Sequence, residues 1–235
     1  MQDIQDTSRP ATSERLAVVL RRATAETHEA VERLPLMTRL TSPTVTREDY
    51  LKYLHALADV YAALEDGLLD ALDEEIRNDL GVRRKLPAIL KDLAEQGQPH
   101  VLRTSAQLAP SGAAAALGGL YVLEGATLGG RVIAKHLRRC LGPVLGSAGF
   151  LDFHGKQSAA AWKRFANILD SLPVHGRMDP SEVIAGALAT FTAIHRMLES
   201  PGAWSAPARA DPSPVGLPCR RRRHLRDSVP PTNED

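Results

Sequence analysis

In LRRATAETHEAVERL, residues 20–34, four residues that could do chemistry fall at helical spacing. On a straight helix His28 shares a face with Thr24 and Glu32, four positions to either side, and with Arg21, seven before it. Glu32 is one turn along and could accept a hydrogen bond from the imidazole, fixing its tautomer and raising its strength as a metal ligand. Arg21 lies two turns the other way, about 10 Å along the axis. The plain alternative is a polar histidine at the margin of an amphipathic helix.

A second cluster lies in YVLEGATLGGRVIAKHL, residues 121–137, with Gly118 and Gly119 just before it. Each interior glycine costs a helix about 1 kcal/mol relative to alanine. Gly118, Gly125 and Gly129 share a face with Tyr121 and Val122, and the pair Gly129-Gly130 permits a kink. Bare backbone on that face lets something approach to van der Waals distance, either a second helix or a flat ligand. A neutral imidazole, with a cation placed for a carboxylate about 10 Å away, is what haem asks of a helix.

The remaining histidines look weaker. His55 and His195 read as helix-margin residues, His136 falls in a charged last turn, and His154 in a loop. His100, His175 and His224 stand among breakers or in the tail, and all seven are expected to be solvated. No phosphate-cradling loop, HExxH, paired-cysteine site or GxSxG elbow occurs, nor a flavin or iron–sulfur motif.

The elements that must position these residues are helical nearly throughout, which predicts an all-α fold. A first helix is expected from Ser13 as N-cap to Pro35, with Leu16, Leu20, Ala23, Thr27 and Val31 inward. Thr46 and Asp49 form a capping pair for a second helix running past Leu69 toward Ile76, with a break near Gly67. A shorter helix spans 87–95. The glycine-bearing helix starts after Pro110-Ser111 and stops at Gly142-Pro143. Residues 157–172 form another amphipathic segment, and the last helix opens at Asp179-Pro180 with Glu182 at its third position.

The chain of 235 residues carries a net charge of +1, which argues against whole-surface affinity for nucleic acid or anionic lipid. Its start lacks the apolar core of a secretory signal, and Ala113–Gly130 reads better as a buried helix than as a membrane span. Cys140 and Cys219 have no metal or redox spacing, so a reducing cytoplasm is expected. The domain organisation follows as a flexible segment 1–12, one helical domain 13–199, and a disordered tail 200–235. Seven prolines and the run CRRRRHLR mark that tail.

LRRATAETHEAVE and LGGLYVLEGATLGGRVIAKHL, in this order on an all-helical chain, together resemble the haem (heme) oxygenase family, over about residues 13–199. The similarity looks closest to the bacterial branch that supplies biliverdin to bacteriophytochromes. The resemblance implies that His28 ligates haem iron and that Glu32 is its acidic neighbour. It sets Arg21 near the propionates, with Thr24, Tyr121 and Val122 contacting the haem. It lays Gly125, Gly129 and Gly130 over the opposite haem face, in a helix that kinks there. It further implies that haem b is both cofactor and substrate, with dioxygen, and that biliverdin, carbon monoxide and ferrous iron are released. Electrons would come from an external reductase or ferredoxin, and a bacteriophytochrome would accept the biliverdin. Many members carry an aspartate directly after the first distal glycine; here Ala126 stands there, and Glu124 lies on another face. Lys163 and Arg164 are candidates for further propionate contacts. Two other readings share the scaffold: a haem-binding or haem-trafficking protein without turnover, and a different small-molecule enzyme, for which Cys140 is poorly placed.

Overall fold

The computed structural model describes residues 14–102, 109–174, 176 and 178–200. The expectations for residues 1–13, with Ser13, and for the tail, with Cys219 and His224, lie outside them, as does His175. Among the described residues the chain is all-α, in the order α1 (Leu16–Ala23), α2 (Ala25–Glu32), α3 (Pro35–Thr41), α4 (Arg47–Asp70), α5 (Glu74–Leu80), α6 (Leu86–Glu95), α7 (Ala113–Leu141), α8 (Ser158–Val174) and α9 (Pro180–Glu199). No helix among them is long and apolar enough to cross a membrane.

The single first helix expected up to Pro35 is in fact two, α1 and α2. Thr24 is buried at the joint of α1 and α2, and its hydroxyl donates to the Leu20 carbonyl at 2.8 Å. This back-bonding bends a helix without ending it, and the His28 amide still reaches the Thr24 carbonyl at 2.9 Å. The bend resets the phase, so Thr24 is buried while Ala23 is exposed. Pro35 opens α3 rather than closing the segment, because proline suits a first helical position.

The capping pair forms: the Thr46 hydroxyl accepts the Asp49 amide at 3.1 Å while Asp49 Oδ2 accepts the Thr46 amide at 2.9 Å. α4 then runs straight through Gly67, with no break, to Asp70; Ile76 belongs to the separate α5. At the other end of the chain, Asp179 caps α9 by accepting the Ser181 amide at 2.8 Å.

The architecture is organised on α7 and α9, the most extensively packed pair. A Cβ added to Gly118 of α7 would come within 2.0 Å of the Val183 carbonyl oxygen. One added to Gly186 of α9 would come within 2.1 Å of the Ala115 oxygen. The two backbones therefore touch where each helix lacks a side chain. α2 also packs on α9, and α4 packs on both α7 and α9. One helix, α9, thus supports both the histidine-bearing helix and the glycine-bearing one.

Away from these contacts, α4 buries His55, contrary to the solvated reading. Its Nδ1 lies 2.7 Å from His100 Nδ1, and His100 Nε2 lies 2.8 Å from Asp59 Oδ1. Burial and the facing His100 press the His55 pKa down to about 4, against partial support from Asp59. The unfolded chain takes up that proton near pH 6.5, so the unfolded state gains protons that the folded state refuses. Stability is therefore expected to fall as pH drops from about 6.5 to about 4. Urea midpoints at pH 7 and pH 5 check this: wild type should lose stability between them, and His55→Asn should lose less.

Candidate functional site

Between α2 and α7, closed by α4 and α9, lies a cavity of about 750 Å³, within the size range of small-molecule sites. Nine of the residues singled out from the sequence border it: His28, Arg21, Thr24, Glu32, Tyr121, Val122, Gly125, Gly129 and Gly130. Most of its lining is apolar, with polar groups at a few points.

His28 projects from α2 with 57% of its side chain accessible, its ring edge-on to Phe191 of α9 at 5.8 Å between centroids. Its Nδ1 lies 3.7 Å from Glu32 Oε2. That is longer than a hydrogen bond and sets Nδ1 on the Glu32 side, leaving Nε2 available to a ligand. Arg21 is the sole cation among the described residues of the lining. Lys163 is absent from the lining. Arg164 is engaged elsewhere, donating to the Asp79 and Asn78 carbonyls at 2.8 and 2.5 Å, where it satisfies the C-terminus of α5. Neither supplies the further cation anticipated for the cavity.

The glycines divide by role. Gly129 has nothing within 4 Å of where a Cβ would stand, and Gly125 only the Trp162 ring at 3.8 Å, so both present backbone to the cavity. Gly130 differs: its Cβ would come within 2.8 Å of the Leu151 carbonyl oxygen, so it admits the 147–151 segment instead of exposing a bare face. Gly118, expected on the same stripe, belongs to the α9 contact. The close-packing reading of the glycine pattern therefore holds at Gly118, while Gly125 and Gly129 leave their backbone open to the cavity. α7 is helical without interruption through Gly129-Gly130.

Several lining residues carried no signal of their own. Tyr53 and Tyr61 come from α4, and Trp162 of α8 sits 5.6 Å from the Tyr121 ring. Burial raises the Tyr121 phenol above its ordinary pKa, with Thr24 and the Arg21 charge partly opposing. Phe150 and Leu151 are brought in by buried Asp92, whose carboxylate accepts the Ser147 hydroxyl at 3.0 Å and the Gly149 and Phe150 amides at 2.8 and 2.9 Å. Asp92 sits on α6, remote from both motifs, so no spacing rule could have found it.

A sequence model of the family described as "Heme oxygenase" matches residues 14–200. The chain belongs to the heme oxygenase family. A protein named heme oxygenase from Xanthomonas campestris pv. campestris (strain 8004) is 31% identical over 165 residues, covering 69% of this chain and 96% of that relative. In fold the chain is similar to the NO- and CO-bound heme oxygenase from Neisseria meningitidis, with a TM-score of 0.62 and 22% identity. That match covers 86% of this chain and 98% of the other. The heme oxygenase scaffold explains why two walls 100 residues apart in sequence face one another.

The residues present fit a porphyrin. An imidazole nitrogen is available on one wall, two glycines leave backbone bare on the other, and a cation stands at Arg21. Gly129 supplies a test with two signs. Alanine there meets open space, so the apoprotein should gain roughly 0.5–1 kcal/mol from helix propensity. The same methyl group intrudes on the ligand, and hemin affinity should drop. Thermal melting and hemin titration of Gly129→Ala measure the two effects; a gain in both would refute the assignment.

Proposed function

We propose that this heme oxygenase cleaves haem b to biliverdin, carbon monoxide and ferrous iron, with haem as both substrate and cofactor. The observation that carries this reading is the cavity walled by His28 on one side and by Gly125 and Gly129 on the other. When bound, haem supplies the iron at which dioxygen is activated.

The protein's own groups do the rest. His28 Nε2 would hold the iron, with Glu32 beside Nδ1 orienting the ring. An imidazole ligand would give the iron far less electronic push than a thiolate. Arg21, the cation of the described lining, would hold a propionate and so orient the substrate. The bare backbone at Gly125 and Gly129 would leave room for a small ligand beside the haem. Apolar lining keeps water few and fixed. Electrons come from a separate reductase or ferredoxin, in the cytoplasm, and a bacteriophytochrome is the acceptor proposed for the biliverdin.

Ala126, a cavity residue without a carboxylate, is the feature that a haem carrier lacking turnover would share. One experiment separates the two. Purified protein is loaded with hemin, and a reductant is added in air with catalase present. A histidine-type Soret band that decays into a bilin spectrum supports turnover, a Soret band that persists selects the carrier, and no Soret band rejects both.

A further inference from the structure

Between α7 and α8 the chain makes a turn that delivers two side chains to the cavity. Ala148 is buried there with a φ of 48°, a left-handed conformation disfavoured for any residue that carries a Cβ. Successive backbone amides around such a residue can form a concave seat for an anion. That seat is filled from α6. Asp92 Oδ1 accepts the Ser147 hydroxyl at 3.0 Å and the Gly149 amide at 2.8 Å, and its Oδ2 accepts the Phe150 amide at 2.9 Å. Gly149 admits the carboxylate, since a Cβ there would stand 3.3 Å from Oδ1. Asp92 itself is buried and does not border the cavity.

The segment is tied to α7 further along. Arg131 and Arg138 each stand 3.3 Å from the Asp152 carboxylate. His154, expected to be solvated, is buried, with its Nε2 3.2 Å from Glu124 Oε2, and Lys85 Nζ donates to the other oxygen of that carboxylate. Between these anchors and Asp92, the Leu151 carbonyl oxygen fills the room that Gly130 leaves, 2.8 Å from where a Cβ would be. Phe150 stands edge-on to Tyr61 of α4, with 5.3 Å between centroids. Phe150 and Leu151 are both buried and both border the cavity. They form a third wall, which meets α7 at Gly130, next to the backbone left bare at Gly129.

We infer, resting on the haem reading above, that Asp92 is a positioning residue for this wall. Through the turn at 147–150 it fixes Phe150 and Leu151, and the fixed wall limits the size of a ligand that can sit on the glycine side of a bound haem. Lying outside the cavity, the carboxylate acts only through the residues it holds. Its three hydrogen bonds keep the backbone in a conformation it would otherwise leave, so weakening them frees Phe150 without altering its ring. A wall held rigidly rejects a ligand that overfills the space, whereas a movable one gives way. Room then opens beside Gly129 for a ligand larger than a diatomic one.

The test uses the full chain loaded with hemin, with cyanide as a small ligand of the ferric iron and imidazole as a larger one. Wild type is compared with Asp92→Asn, Ser147→Ala and Phe150→Leu. Melting of each apoprotein reports folding, the Soret band reports hemin binding, and its shift on titration gives each ligand's affinity without turnover. Whichever way an Asn amide is turned at position 92, its N–H₂ meets a backbone N–H, so the turn loosens. Asp92→Asn and Phe150→Leu should each raise imidazole affinity about tenfold, the relief of a modest steric penalty. Cyanide affinity should stay within about twofold of wild type, since a diatomic ligand already fits. Ser147→Ala removes one of the three hydrogen bonds and should raise imidazole affinity about threefold. Because Asp92 acts through Phe150, the double variant should gain about tenfold, not the roughly 100-fold of two independent effects. Should Asp92→Asn fail to fold or to bind hemin, Ser147→Ala takes its place, alone and in the pair. Wild-type imidazole affinity in Phe150→Leu or in a folded Asp92→Asn, or additive gains in the pair, overturn the inference while leaving the haem reading intact. A wild-type protein that gives no Soret band overturns both.

Discussion

Replacing His28 with alanine is expected to weaken hemin binding by at least about 100-fold, remove the histidine-type Soret band and abolish bilin formation. Loss of an outer partner of a metal-bound histidine typically costs 10–100-fold, so loss of the ligand itself should cost no less. The fold should survive. His28 is more than half accessible, and its ring meets the edge of Phe191, a pair contributing about 0.5–1.5 kcal/mol. Alanine offsets part of that loss through its better helix propensity. Glu32→Gln makes the useful comparison. Its carboxylate stands 3.7 Å from Nδ1, so the variant should bind hemin with at most about tenfold weaker affinity. Hemin titration of both variants, with circular dichroism as the folding control, measures the difference.

The second large effect concerns stability. Gly118→Ala and Gly186→Ala should each destabilise the protein by roughly 2–4 kcal/mol, although the same change at Gly129 is stabilising. The added methyl would stand 2.0 Å from the Val183 oxygen in one case and 2.1 Å from the Ala115 oxygen in the other. Both obstacles are backbone of a neighbouring helix, so relief requires α7 and α9 to move apart. Overpacking of this kind costs about 1–3 kcal/mol and occasionally more, and the gain of about 1 kcal/mol in helix propensity does not cover a contact this short. In a domain of this size each kcal/mol moves the melting temperature by roughly 2–4 °C. A fall of about 5 °C or more is the expected result, and an unchanged melting temperature would show that the helices do not meet there. Since α9 also carries α2, both variants should bind hemin more weakly as well.

These two sets of residues show what was legible before the fold. His28, Arg21, Thr24 and Glu32 were readable as a group because local helical spacing decides which side chains share a face. Thr24 marks the limit of that reading: its back-bond to Leu20 bends the helix, yet all four residues still border the cavity. The glycine stripe announced close approach but not its object. Gly118 meets a helix, Gly130 meets a loop, and Gly125 and Gly129 face the cavity, distinctions set by tertiary neighbours far away in sequence. The long α4 was visible from its capping pair. The joint at Pro35 was misread because proline both ends one helix and begins the next. Least legible were the buried ionic groups. His154 in a glycine-flanked loop and Lys85 before a proline helix each look like surface residues, and only Glu124, contributed by a third element, draws them inside. A charge buried by partners from distant segments leaves no periodic trace.

The central claim is that one porphyrin is held between the His28 ring and the bare backbone of α7. A crystal structure of the hemin-loaded protein tests it most directly. The iron should be bonded to His28 Nε2, the opposite face of the macrocycle should lie against Gly125 and Gly129, and a propionate should reach Arg21. Iron held by any other side chain, or a macrocycle seated away from those two glycines, would contradict it.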